Sequence, residues 1–149
     1  MINILFVCHG NICRSPMAEF VMKDLVKQER INVHIESAAT STEEIGNPVH
    51  RGTREKLAQH GISTAGKYAV QLTKDDYNKY DYIIGMDSMN IRNIIRITGP
   101  DNEGKVHKLL SFAGREGDIA DPWYTGKFDD TYADVLAGCK GLLKKLKNE

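Results

Sequence analysis

Apolar residues follow two periods along this chain. Short, β-branched, nearly continuous apolar runs predict buried strands at Ile2–Val7, Val33–Ala38, Tyr68–Leu72 and Asp81–Met86. Between them apolar positions recur every three or four residues, the helical period. Met17, Val21 and Leu25, with Ala18 and Met22 beside them, predict a helix from about Pro16 to Arg30, with Ser15 able to cap its start and Pro16 suited to the first helical position. Asn47-Pro48 opens a second predicted helix that Gly61 closes. Thr73 with Asp76 resembles a capping box for a short helix, and Asp87 predicts a cap for one running to about Ile97. A weaker strand or turn is expected near Val106–Leu110, and Ser111–Asp130 reads as loop. The last helix has the clearest stripe: Tyr132, Val135, Leu136, Cys139, Leu142, Leu143 and Leu146.

Strands alternating with helices imply an α/β fold, a three-layer doubly wound sandwich around a central four-stranded parallel sheet. Such sheets bind ligands outside the carboxyl ends of their strands, so the segment after the first strand matters most. With 149 residues, 41% apolar, and no repeats or linkers, a single domain over residues 1–149 is expected. Twenty basic and 20 acidic residues cancel and are dispersed, which argues against nucleic-acid and polybasic membrane surfaces. No stretch approaches the roughly 20 apolar residues of a membrane span, and the first run reads as a strand rather than a signal peptide. Three cysteines, an odd number, fit free thiols in a reducing cytoplasm.

Directly after the first strand comes Cys8-His9-Gly10-Asn11-Ile12-Cys13-Arg14-Ser15, which then enters a helix. A strand-to-helix loop turns successive N–H groups inward and, with the helix N-terminus, makes an anion site sized for phosphate. Gly10 is expected to supply the unusual backbone angles, and the planar fork of Arg14, six residues after Cys8, to fold back beside the thiol. Helix N-termini and nearby cations favour the thiolate, so Cys8 reads as a nucleophile that attacks phosphorus without a metal or cofactor. The amides of His9 to Ser15 and the Arg14 guanidinium would stabilise the equatorial oxygens. The Ser15 hydroxyl is placed to cap the helix, to hydrogen-bond Cys8, or to do both.

The segment Cys8 to Pro16 and the distant Asp121-Pro122-Trp123-Tyr124 resemble the two signatures of the low-molecular-weight phosphotyrosine phosphatases. Ser37-Ala38-Ala39-Thr40-Ser41, Ile45-Gly46-Asn47-Pro48 and Met86-Asp87-Ser88-Met89-Asn90 are also similar, so the resemblance spans nearly the whole chain. It implies hydrolysis of tyrosine-phosphorylated proteins through a phosphocysteine, with inorganic phosphate as a ligand of the same loop. Asp121 would be the general acid and then the base. That acid must be protonated while Cys8 is ionised, so a bell-shaped pH profile with a mildly acidic optimum is expected. Asn11 and Ser37, with Ser15, would brace the loop. Ile12, Trp123 and Tyr124 would line a deep slot that accepts a phenyl ring.

Two stretches depart from the family pattern. Many relatives carry an aromatic residue over the slot where this chain has Glu43-Glu44, which is expected to disfavour acidic phosphopeptides. Many also carry a histidine before Ala-Arg-Gln, whereas Lys67-Tyr68-Ala69-Val70-Gln71 stands here. Cys13 is either packing or a reversible partner for Cys8, and Cys139 belongs to the core stripe. Asp87 reads as a helix cap, and His34, His50, His60 and His107 as solvated or structural. A zinc site at Cys8 and Cys13 lacks two further ligands.

Three other functions compete. Phosphoarginine hydrolysis in the same family goes with a threonine where this chain has Ile12. Thiol-dependent arsenate reduction needs further cysteines, and none lies between Cys13 and Cys139. A non-catalytic phosphoprotein-binding module would not need Cys8, Arg14 and Asp121 together. No Gly-Lys-Ser/Thr triplet of a nucleotide-binding loop is present.

Overall fold

Strand β1 (Ile2–Cys8) runs inside a four-stranded sheet in the order β2-β1-β3-β4, where β2 is Val33–Ala39, β3 Tyr82–Gly85 and β4 Val106–Lys108. The structure, a computed structural model, describes residues 1–149. Every pairing is parallel: Ile4 lies opposite both Ile35 and Tyr82, and Val7 opposite both Ala38 and Gly85.

Strand alternation feeds two cores. Ile4, Phe6 and Cys8 point to one face and Leu5 and Val7 to the other. The first face is covered by α1 (Arg14–Gln28), α2 (Arg51–Ala58) and α6 (Phe128–Lys147), which contribute Met17, Val21, Met22, Leu57, Val135, Cys139 and Leu142. The second is covered by α3 (Asp76–Lys79) and α4 (Ser88–Thr98) through Tyr77 and Ile94. These are the three expected layers. A short 3-10 helix, Leu109–Ala113, crosses α6 at Gly138 and Gly141, and a Cβ on Gly141 would collide with the Phe112 carbonyl. Helix α5 is a single turn, Pro122–Thr125. No helix is long and apolar enough to cross a membrane.

Several local expectations need correction. Tyr68–Leu72 is not a strand; its sheet contact is one bridge, Ala39 opposite Gln71, and the fourth strand is Val106–Lys108. Its N–H groups are drawn elsewhere: Val70 donates to Asn11 Oδ1 at 3.1 Å and Ala69 to the Asn47 carbonyl at 2.9 Å, while Tyr68 and Val70 face solvent. Helix α2 begins at Arg51 rather than Asn47, because the His50 ring caps it by accepting from Gly52 N–H at 3.1 Å. Helix α1 begins at Arg14 without a side-chain cap, which places Pro16 third and Ser15 inside the helix. Thr73 offers its N–H to Asp76 rather than capping α3 with its own hydroxyl. The stretch expected as loop contains α5 and the first turn of α6.

Candidate active site

Cys8 ends β1 and Arg14 begins α1, so the five residues between them form the loop over the first strand's carboxyl end. The Cys8 sulfur accepts N–H groups from Asn11 at 3.3 Å and Ser15 at 3.4 Å, and the Ser15 hydroxyl lies 3.0 Å away. The left-handed residue that turns the loop is Asn11 (φ 58°), not Gly10, whose φ is not positive. Asparagine tolerates this conformation when its short side chain is hydrogen-bonded locally. Here Oδ1 accepts from Val70 N–H, while Nδ2 donates to Ser15 Oγ at 2.7 Å and to Ser37 Oγ at 2.9 Å. Ser15 Oγ accepts from Asn11 and keeps its own proton within reach of the Cys8 sulfur, to which it can donate when that sulfur is a thiolate. Ser15 lies inside the helix and does not cap it.

This network continues behind the loop. Ser37 Oγ donates to Glu19 Oε1 at 2.5 Å, and Glu19, 2% exposed, sits 3.6 Å from Lys67 Nζ and 2.6 Å from Lys23 Nζ. Lys67 also donates to the Ser37 carbonyl at 2.8 Å. Burial pulls the Lys67 pKa down against the opposing charges of Glu19 and Glu36. The departure at Lys67 is thus absorbed by a buried ion pair that reaches the loop through Ser37.

Arg14 is 3% exposed. Its Nη1 donates to Asp87 Oδ2 at 2.6 Å and to the Ile119 carbonyl at 2.9 Å, and its Nη2 lies 3.5 Å from Asp121 Oδ2. Burial opposes the guanidinium charge, but Cys8, Asp87 and Asp121 outweigh it and raise the pKa above its ordinary value. Asp87 has two tasks: Oδ1 caps α4 through Asn90 N–H at 2.7 Å, and Oδ2 anchors Arg14. The cap was legible in the sequence. The anchoring was not, and its only signal was position, directly beyond the carboxyl end of a strand. Glu19 had no signal beyond its polarity on a helix face.

A cavity of about 110 Å³ opens above Cys8, lined by Ile12, Cys13, Arg14, Glu43, Asp121, Trp123 and Tyr124 among others. Trp123 and Tyr124 are exposed beside it and are not buried anchors. Asp121 caps α5 by accepting Trp123 N–H at 3.1 Å. Glu43 pairs with His9 Nε2 at 2.8 Å, and Glu44 lies against Gly10 while accepting from Asn47 Nδ2 at 2.5 Å. Burial first, then the charges of Cys8 and Asp121, push the Cys13 thiol up to about 12. Cys139 is fully buried, and burial raises its pKa too. All three cysteines are free. No group of three or more His, Cys, Asp or Glu side chains converges so as to hold a metal ion.

The family model for low molecular weight phosphotyrosine protein phosphatase matches residues 3–149. The chain belongs to this family. Its sequence is 39% identical to the low molecular weight protein-tyrosine-phosphatase YfkJ of Bacillus subtilis, over 100% of this chain and 98% of that protein. The crystal structure of YfkJ superposes with a TM-score of 0.96, covering 99% of this chain and 96% of that one. The low molecular weight protein tyrosine phosphatase SP-PTP from Streptococcus pyogenes is 45% identical, with a TM-score of 0.88 over 98% and 93% of the two chains. A Drosophila arginine phosphatase is 29% identical, with a TM-score of 0.89 over 97% of each chain. In this member of the family the His9–Glu43 pair stands on the rim of the cavity and the Lys67–Glu19 pair behind the loop.

Proposed function

We propose that this chain is a cysteine-dependent protein-tyrosine phosphatase formed by one catalytic domain, in which Cys8 is the nucleophile, Arg14 holds the phosphoryl oxygens and Asp121 moves the proton. The observation that carries this reading is the convergence of the Cys8 sulfur, the Arg14 guanidinium and the Asp121 carboxyl on one cavity. Two amides donate to the sulfur and the Ser15 hydroxyl lies 3.0 Å from it, so the nucleophile is held in place by the loop itself. The thiolate attacks phosphorus, the bond to the phenolic oxygen breaks, and Asp121 gives its proton to that oxygen. Loop amides and Arg14 stabilise the equatorial oxygens during transfer. In the second step water attacks the phosphocysteine, Asp121 takes a water proton, the S–P bond breaks, and inorganic phosphate leaves. The Ser15 hydroxyl stabilises the departing thiolate. No step draws on a metal or cofactor.

Trp123, Tyr124 and Ile12 support a substrate with a flat aromatic leaving group, since ring faces stack favourably on aromatic walls. The similarity to an arginine phosphatase favours a second reading, phosphoarginine hydrolysis on the same loop. Free cysteines support a reducing, cytoplasmic setting. Phosphate release from matched phosphotyrosine, phosphoserine and phosphoarginine peptides, by wild-type protein and Cys8→Ser in metal-free buffer, tests the proposal. Cys8-dependent turnover of phosphotyrosine alone is expected. A preference for phosphoarginine would transfer the assignment to the second reading. Phosphate binding without turnover at mildly acidic pH would leave a binding module.

A further inference from the structure

Trp123 sits on a helix of one turn, half exposed, yet its ring does not stand alone. The His50 ring meets it edge to face, with centroids 5.3 Å apart and planes inclined by 73°. The other aromatic contact of that imidazole is the Phe128 ring, stacked at 5.5 Å with an interplanar angle of 7°. His50 is itself tied to the phosphate loop: its N–H donates to the Ile12 carbonyl at 2.8 Å, and Thr53 on the same helix donates to the Cys13 carbonyl at 3.3 Å. Phe128 packs on Ile12, Cys13 and Ala69. Gly52 makes room for this stack, since a Cβ there would run into the Phe128 ring.

A residue needed only to cap α2 would be better chosen from Asn, Asp or Ser. Histidine adds a flat ring that fills the gap between Phe128 and Trp123. Resting on the phosphotyrosine reading above, we propose that His50 is a positioning residue that holds the Trp123 wall of the slot in register with the phosphate loop. It touches neither phosphate nor nucleophile. It fixes the ring against which the substrate's phenyl group stacks, so its loss acts on binding of the aryl group and spares the chemical step.

Two substitutions separate the cap from the ring. His50→Asn keeps a capping acceptor and removes the ring, whereas His50→Phe keeps the ring and removes the acceptor. An aromatic pair of this kind is worth roughly a 3- to 10-fold factor. His50→Asn is therefore expected to raise KM for a phosphotyrosine peptide by that factor, with kcat and competitive inhibition by inorganic phosphate unchanged. His50→Phe is expected to restore KM. Trp123 is the only tryptophan, so its fluorescence reports the contact directly: emission should shift to the red and quench more readily with acrylamide in His50→Asn, and return in His50→Phe. A silent His50→Asn with an impaired His50→Phe would reduce His50 to a helix cap and overturn the proposal. If His50→Asn fails to fold, Phe128→Leu removes the stacking partner with the cap intact and must reproduce both the KM rise and the red shift; without them the proposal fails. Wild-type protein that turns over no phosphotyrosine would instead sink the functional reading, while the emission comparison would still decide the contact.

Discussion

Asp87 shows how one side chain couples local structure to chemistry. One carboxylate oxygen caps α4 while the other holds Arg14 at 2.6 Å in a part-buried, charge-assisted hydrogen bond. Such bonds contribute roughly 1.5–3 kcal/mol, more than a neutral pair. Asn caps as well as Asp, so Asp87→Asn should cost little stability but weaken the anchor. A fall in kcat/KM of about 10- to 100-fold is expected, together with weaker competitive inhibition by inorganic phosphate. If only the cap matters, Asp87→Asn will be silent and Asp87→Ala alone will reduce activity. Asn11 illustrates the same economy in the backbone. Its left-handed conformation is held by three side-chain hydrogen bonds, so the loop turns at a residue that also holds the Ser15 hydroxyl beside Cys8.

The helices act as platforms, and close packing between elements decides where each platform stands. Helix α6 covers the face of the sheet that carries Cys8, and the 3-10 helix Leu109–Ala113 lies against it at Gly138 and Gly141. Helix propensity alone would predict that Gly141→Ala gains about 0.5–1 kcal/mol. A methyl group there has nowhere to go except into the Phe112 carbonyl, a backbone atom that does not yield cheaply. Overpacking of this kind costs roughly 1–3 kcal/mol and should win, lowering the urea midpoint of Gly141→Ala. A raised midpoint would mean that the two elements slide apart without penalty. Tyr68–Leu72 makes the converse point. Its β-branched and aromatic residues suit a strand, but its backbone is occupied with Asn11, Asn47 and Ala39, and it braces the Cys8–Ser15 loop.

For the molecule as a whole, burial of weak acids sets the alkaline limit. Burial raises the pKa of Cys13 from 9.0 to about 12, and those of Tyr80 and Tyr82 from 10.0 to about 12. Folded values above unfolded ones stabilise the fold fully below the unfolded pKa, and that contribution is lost as pH rises through the folded value. The urea midpoint should therefore decline from about pH 9 upward, and Cys13→Ala should soften the first part of the decline. An unchanged or rising midpoint between pH 9 and 12 would contradict this. The sequence by itself determined the short apolar runs of β1 and β2, the apolar stripe of α6 and the Cys8–Ser15 loop between strand and helix. Those features are local, because the burial of neighbouring residues and the spacing from Cys8 to Arg14 are written into consecutive positions. Tertiary structure alone decided that Val106–Lys108 and not Tyr68–Leu72 completes the sheet, and that Asp87 reaches Arg14 across 73 positions. It also decided that Lys67 is buried against Glu19, and that His50, Trp123 and Phe128 share one stack. These partners lie on segments far apart in the chain. No periodicity along the chain names them, and they meet only because parallel strand order and helix packing bring those segments to one end of the sheet.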